Sequence, residues 1–267
     1  MKIASWNINS LRKRQDQLFD WLASSAPDVV CLQETKCPDD QFPVLALQAT
    51  GYHSSYHGEK SYNGVAILSK SGPKDVRASL CDEIVDPQAR VISATVEGIR
   101  IYSVYAPNGQ AVGSPAYHYK LKWYTRLREC VSREMAANDG KLGVVVAGDF
   151  NVAPEDLDVH DPALWRGAIM CSDEERAAFA DLCSIGLVDT LRLHHREQGM
   201  FTWWDYRMLA FPKNRGLRID AVLSSGSLAK RCTAAGIDRE LRKGKEPSDH
   251  APIWAEFANA EVNTSNP

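Results

Sequence analysis

The sequence lacks any surplus of positive charge: 31 Lys and Arg stand against 34 Asp and Glu, a net charge of −3. No global basic field announces a polyanionic partner, so a surface for one has to be local. The seven cysteines include no CxxC pair and make an odd total, which argues against a disulfide framework and for a reducing compartment. Cys31 and Cys130 fall inside apolar or helical patterns, where a free thiol acts as a small hydrophobe. Also missing are a signal-peptide core, an Arg/Ser-rich transit segment and any apolar run long enough to span a bilayer. The expected address is the cytoplasm, nucleoid-associated if the source is bacterial, with no membrane partner. No low-complexity linker or short-period repeat divides the chain.

What is present is a 267-residue chain that is 44% hydrophobic, enough for one large α/β domain. We expect a single catalytic domain over residues 1–257 and a polar tail over 258–267. Strand-like runs occupy 2–6, 29–33, 64–69, 90–96, 100–105, 142–147, 219–223 and 253–257. Helical periodicity is clearest at 14–24, 117–137 and 173–185, the last with Ser172 as N-cap and acids in its first turn. Strands interleaved with helices predict stacked sheets flanked by helices rather than an all-β barrel.

The polar residues fall in a pattern. Five strand-like segments run straight into short polar clusters: Trp6-Asn7-Ile8-Asn9, Leu32-Gln33-Glu34-Thr35, Tyr105-Ala106-Pro107-Asn108, Gly148-Asp149-Phe150-Asn151 and Ser248-Asp249-His250. Sites in α/β proteins gather at strand ends, where loops converge on a rigid scaffold. Each residue has a plain reading: Asn9 as a turn residue, Glu34 as a solvated strand end, Gly148-Asp149 as a hairpin signal, His250 as a structural histidine. Asp220 is harder to dismiss, because a carboxylate inside the apolar run at 219–223 needs a partner to offset its burial. Together they predict one polar site.

In this order, with Arg218-Ile219-Asp220 and Ser248-Asp249-His250-Ala251-Pro252, the clusters closely resemble the exonuclease III/apurinic-apyrimidinic endonuclease family of the endonuclease/exonuclease/phosphatase superfamily. The resemblance spans about residues 1–257, and LQETK, GDFN and SDHAP are its specific signals. It implies a four-layered α/β sandwich, two facing mixed β-sheets flanked by helices, with a divalent-metal site at one end. It implies a Mg2+-dependent DNA phosphodiesterase of base-excision repair, with Mn2+ as a substitute, acting as a monomer on double-stranded DNA with abasic sites or 3′ ends. Incision 5′ to abasic sites, 3′→5′ exonuclease action and 3′-phosphatase action are the implied activities.

The same resemblance implies residue roles. Glu34 is the principal metal ligand, with Asn7 holding the metal or a neighbouring carboxylate. Asp149 handles the attacking water or the leaving-group proton, and Asn151 orients it. Asp220 partners His250, Tyr105 reaches the phosphate or leaving oxygen, Asn108 contacts phosphate, and Asp249 is the acid beside the metal. The implied metal set is Asn7, Glu34, Asp149, Asn151, Asp249 and His250. Trp203 and Ile219 wall the pocket for a flipped-out abasic sugar, whose extrusion costs little because no base is unpaired. The family pattern commonly has Asp where this chain has Asn9, which removes a negative charge near the metal.

The chemistry fits the residue types. A hard cation on oxygen ligands neutralises an anionic phosphodiester, and Mg2+ needs only one or two carboxylates. No cysteine cluster offers the softer donors zinc prefers. Either Asp149 or the Asp220–His250 pair stands to activate the water. Basic residues cluster at 12–14 and in the helix at Lys120, Lys122, Arg126 and Arg128, where a solvated face is an equal reading; those of the loops 213–218 and 239–245, which lead into Asp220 and Asp249, are expected to form a phosphate-binding rim. In Phe201-Thr202-Trp203-Trp204 one tryptophan is expected to be core. Two other classes compete: a phospholipid, inositol-phosphate or RNA phosphodiesterase of the same superfamily, and a DNA-binding module without chemistry.

Overall fold

The computed structural model describes the chain except for Cys81, Val85 and residues 138–141 and 260–267, so most of the expected tail lies outside the described residues. The strands are β1 (Lys2–Asn7), β2 (Val29–Gln33), β3 (His53–His57), β4 (Val65–Ser69), β5 (Lys74–Arg77), β6 (Val91–Val96), β7 (Ile99–Tyr105), β8 (Gly143–Asp149), β9 (Leu187–Asp189), β10 (Asp220–Ser225), β11 (Cys232–Ile237) and β12 (Ile253–Phe257). The helices are α1 (Gln15–Ser25), α2 (Val44–Ala49), α3 (Pro115–Ala137), α4 (Pro162–Trp165), α5 (Asp173–Ser184), α6 (Thr190–His194) and α7 (Gly226–Ala229). They build two six-stranded mixed sheets, ordered β11-β12-β1-β2-β4-β3 and β5-β6-β7-β8-β10-β9.

Alternation along the strands explains the layering. Ile3, Val29, Cys31, Val65 and Ile67 of the first sheet meet Ile92, Ile101, Val145, Ala147 and Val222 of the second in one apolar core. Their sequence neighbours point the other way. Ala4, Trp6, Val30, Leu32 and Leu68 pack under Leu18, Trp21 and Leu22 of α1 and Leu47 of α2. Tyr102, Val104, Val144, Val146 and Leu223 pack under Trp123, Leu127 and Val131 of α3 and Phe179 and Leu182 of α5. A strand buried on both faces reads as a continuous apolar run, as in Val144-Val145-Val146-Ala147. The result is the four-layered sandwich that the resemblance implied.

Eight strands and three long helices fall where the sequence placed them, within a few residues. The four unanticipated strands, β3, β5, β9 and β11, are the four outer strands of the two sheets. Edge strands carry polar or small residues that discourage further pairing, as in His53-Ser54-Ser55-Tyr56-His57, and so lack the apolar signature. Ser172 caps α5 as expected, in a capping box with Glu175. The six described cysteines are free, with Cys31 and Cys130 buried in the cores. Among the described residues no helix is long and apolar enough to cross a membrane.

Topology then gathers the polar strand ends. β1 runs parallel to β2, and β7 parallel to β8, so Asn7, Glu34, Tyr105 and Asp149 emerge at one end of the sandwich. β10 is antiparallel to β8 with Asp220 opposite Asp149, and β12 is antiparallel to β1, which brings the 248–252 turn to the same end.

Candidate active site

Glu34, Asp149 and His250 each offer a ligand atom within 4.8 Å of the others. Two carboxylates and an imidazole make a donor set suited to a divalent cation. The side-chain amide of Asn7 donates to Glu34 Oε1 and to Asp149 Oδ2, both at 2.8 Å, and its oxygen accepts the Asn9 amide at 3.0 Å. Asn7 thus spaces the two carboxylates apart. Lys36 Nζ stands 2.8 Å from Glu34 Oε2 and covers its other oxygen.

His250 links this cluster to Asp220. Its Nδ1 lies 2.8 Å from Asp220 Oδ2 and its Nε2 lies 3.7 Å from Asp149 Oδ2. Burial opposes a charge on the ring, but Asp220 and Asp149 outweigh it and push the imidazole up to about 10. Asp149 goes the same way for another reason: burial, then Asp220 and Glu34, raise it to about 7 against the pull of His250 and Asn7. Asp220 Oδ1 is buried without a partner among the described residues, so the carboxylate aims its charge at the imidazole alone.

Tyr105 is raised well above its ordinary value, chiefly by burial and then by Glu34 and Asp149, with Arg90 opposing. Its phenol stays protonated and able to donate. Asn108 donates to Asn151 Oδ1 at 3.1 Å, and Asn151 Nδ2 donates to the Ala106 carbonyl at 2.9 Å. One proton on each amide is left for a ligand. Asn9, Glu34 and Asn151 all sit in left-handed backbone, with φ of 45°, 49° and 51°. Such strain in residues other than glycine clusters at functional sites.

Three residues of the implied metal set, Asn7, Asn151 and Asp249, stand beside the three-residue group rather than in it. Asp249 accepts from Asn9 Nδ2 at 2.8 Å and from Trp203 Nε1 at 3.0 Å. Burial would raise this carboxyl, but His250, Asn9 and Trp203 hold it below the ordinary range. Asn151 is engaged by Ala106 and Asn108. The departure at Asn9 now has an account: its amide donates to Asp249 while its oxygen accepts from Lys36 at 2.7 Å. An aspartate in this position could not donate to Asp249.

Trp203 and Ile219 meet in a small apolar cluster with Ala153, Val159, Met170, Cys171 and Leu217 beside the polar site. Trp204 is the core tryptophan, fully buried against Phe201, Ala210 and Phe211. No role was legible for Thr202, Ser248 or Met170. Thr202 Oγ1 accepts the amides of Ile219 and Asp220, both at 3.1 Å, and its carbonyl accepts Ala251 N. Ser248 Oγ donates to the Asn7 carbonyl at 2.7 Å and accepts His250 N at 3.2 Å. Small hydroxyls flanking the signature residues were the available signal.

The expected phosphate rim needs correction. Arg218 is buried and ion-paired with Asp158 and Asp189, Arg242 is buried on the Ser248 carbonyl, and Arg14 is buried against the carbonyls of Ile8, Pro247 and Glu246. On α3, Lys120 is buried, while Arg126 pairs with Asp82 and Asp86 and Arg128 with Asp181. The exposed cations of the two loops are Lys213, Arg215, Lys243 and Lys245, and Lys243 pairs with Glu240. Charge along a sequence does not tell a solvated cation from one that fastens loops.

An acid pair and an imidazole at one end of two facing sheets, with a carboxylate behind the imidazole and amides beside it, define a phosphoesterase. Residues 4–250 match the endonuclease/exonuclease/phosphatase family, to which the chain belongs. Within it the chain falls in the exonuclease III/apurinic-apyrimidinic endonuclease branch. It is 38% identical to exodeoxyribonuclease III of Haemophilus influenzae over 96% of this chain and 100% of that one. Its structure is similar to a 3′ phosphatase of Neisseria solved with a product DNA hairpin (TM-score 0.94, 45% identity, 97% of this chain and 100% of that one). It is also similar to an AP endonuclease of Archaeoglobus fulgidus (TM-score 0.92, 37% identity, 97% and 100%).

Proposed function

We propose that residues 1–257 form one catalytic domain that hydrolyses phosphate esters of double-stranded DNA, incising 5′ to abasic sites and clearing 3′ ends as exonuclease and 3′-phosphatase. It acts as a monomer with Mg2+, for which Mn2+ can substitute. The carrying observation is the chain of groups Asp220–His250–Asp149–Glu34, with the Asn108–Asn151 amide pair and the Trp203–Ile219 apolar cluster beside it.

Glu34 and Asp149 would hold the cation, which when bound neutralises phosphate charge and eases attack by water, with the protonated His250 beside it. The protein's own groups do the rest. Asp220 fixes the His250 tautomer and keeps the ring protonated, so the imidazolium donates to a phosphoryl oxygen. Asp149, raised towards neutrality, serves one side of the phosphorus: it takes a proton from the attacking water or gives one to the departing 3′ oxygen. The Tyr105 phenol and the free amide protons of Asn108 and Asn151 hold the phosphate in line. The apolar wall accepts a bare deoxyribose and excludes a nucleotide that keeps its base. Relatives described as an exodeoxyribonuclease, a DNA-bound 3′ phosphatase and an AP endonuclease support this range.

The test is Mg2+-dependent digestion of end-labelled duplexes carrying an abasic site, a blunt end or a 3′-phosphate. All three are expected to turn over, and Glu34→Gln is expected to lose activity at low Mg2+ and recover part of it at high Mg2+. Cleavage of the 3′-phosphate with no incision at the abasic site would reduce the function to end processing.

A further inference from the structure

Lys120 is a fully buried lysine with no part in the chemistry above. It projects from α3, and its Nζ meets three acceptors: the carbonyl of Asn108 at 3.2 Å, that of Asn151 at 2.7 Å and Glu175 Oε1 at 2.5 Å. An ammonium has three protons, so its donors are saturated. Two of the acceptors are the backbone oxygens of the two amides read here as phosphate contacts.

Glu175 is equally buried and carries the connection onward. Its Oε1 also accepts the Met170 amide at 3.1 Å, and its Oε2 accepts Ser172 N at 3.2 Å and Ser172 Oγ at 2.6 Å. Met170 belongs to the apolar cluster of Trp203 and Ile219. One buried ion pair therefore ties the amide loops to the segment that closes the apolar wall.

The local backbone shows why a fastening is needed. Asn151 lies in the left-handed region at φ 51°, and Gly109, directly after Asn108, lies there at φ 89°. A Cβ on Gly109 would come within 3.1 Å of both Lys120 Cδ and Ile169 Cδ1, so this turn rests on the lysine stem. Surface loops of this shape drift unless their carbonyls are held. Burial costs for both charges are offset only because each has its full set of partners.

We infer that Lys120 is a positioning residue for the reaction: held by Glu175, it locks the Asn108 and Asn151 carbonyls, and so fixes their amides on the phosphate in register with the apolar wall. The inference rests on the reading of those asparagines as phosphate contacts. Removing the ammonium frees the amides to move by fractions of an ångström, which degrades alignment more than binding.

The experiment is a mutant cycle on a duplex with a 3′-phosphate, with kcat and KM measured separately. The variant pairs Lys120→Met with Glu175→Gln, so that no unmatched charge is left buried, and it is made in the wild-type and the Asn151→Ala backgrounds. In wild type we expect kcat to fall about 10- to 100-fold with KM changed far less. In Asn151→Ala the same pair should cost no more than about twofold, since groups acting through one another are non-additive. Equal factors in the two backgrounds would reduce Lys120 to a structural lysine and overturn the inference. If Asn151→Ala alone leaves turnover unchanged, the phosphate-contact reading fails first, and the positioning role with it. Should the paired variant not fold, Glu175→Gln alone, which leaves Oε1 to receive Lys120 and Met170, is taken through the same cycle with the same criterion.

Discussion

The two sheets bring their residues to the site by the same device and hold them by different ones. In the first, β1–α1–β2 delivers Asn7 and Glu34. In the second, β7–α3–β8 delivers Tyr105, Asn108, Asp149 and Asn151. Past β1 and β2 the backbones stay zipped together: Ile8 N to the Gln33 carbonyl at 3.0 Å, Ser10 N to Glu34 at 2.8 Å and Leu11 N to Thr35 at 3.0 Å. Past β7 and β8 a backbone bond from Ala106 N to the Asp149 carbonyl persists, but the loops beyond are fastened by side chains: Asn151 on Ala106, Asn108 on Asn151, Lys120 on both. Main-chain fastening is indifferent to which side chains occupy the loop. Side-chain fastening is not. The loops proposed to hold the phosphate are therefore open to retuning by substitution, whereas at the end proposed to hold the cation the main chain shares the load with Asn7, Lys36 and Arg14.

Cutting the link between the halves should have the largest effect. His250 lies between Asp220 of the second sheet and the acids around Glu34. We expect His250→Asn and Asp220→Asn each to lower kcat/KM by about 10²- to 10⁴-fold. The double variant should be little worse than the more damaged single, because the pair works as a unit. Losses that multiply would mean that the two act independently.

The second sheet's support comes next. Asp158, buried between Arg218 and Arg192, carries the turn into β10. Burial would raise its carboxyl, but the two guanidiniums outweigh that and hold it below its ordinary value of 3.8. A depressed folded-state pKa gives stability that is present above the ordinary carboxylate range and lost as pH falls through the depressed value. Asp158→Asn should cost about 3 kcal/mol at neutral pH. The difference from wild type should shrink below pH 4 in urea titrations, and a pH-independent difference would place the effect in packing.

Smaller effects sharpen the contrast between loops. Asn108→Ala removes a neutral donor from a charged acceptor and should slow turnover about tenfold, with Mn2+ affinity measured by calorimetry left as in wild type. A matching loss of metal affinity would show that the two ends are not separately held. Smallest is the salt response. Lys213→Gln with Lys245→Gln should lower the slope of log affinity against log salt by up to about 1.8, roughly 0.9 per phosphate contact. An unchanged slope would put the DNA elsewhere.

The comparison also explains what could be read from the sequence. Strands covered on both faces announce themselves as apolar runs, so the centres of both sheets were legible and the polar edges β3, β5, β9 and β11 were not. The site was legible where strand ends carry distinctive clusters: Asn7, Glu34, Tyr105, Asn108, Asp149, Asn151, Asp220 and His250 do meet at one end. What stayed hidden depends on burial and on partners far along the chain. Arg218 and Arg242 look like a DNA rim until their burial is known, Lys120 looks like a solvated face, and Asn9 makes sense only beside Lys36 and Asp249.

The left-handed backbone at Asn9, Glu34 and Asn151 bears on how this enzyme could be engineered. Each of these residues gives up about 1 kcal/mol that glycine would keep. A library screened for heat resistance alone would therefore drift towards glycine at Glu34, while Asn9 and Asn151 are retained by the bonds their side chains make. Its hardiest members would be well-folded proteins that have lost their cutting edge. Screening for stability and turnover in the same round is the only way to keep both.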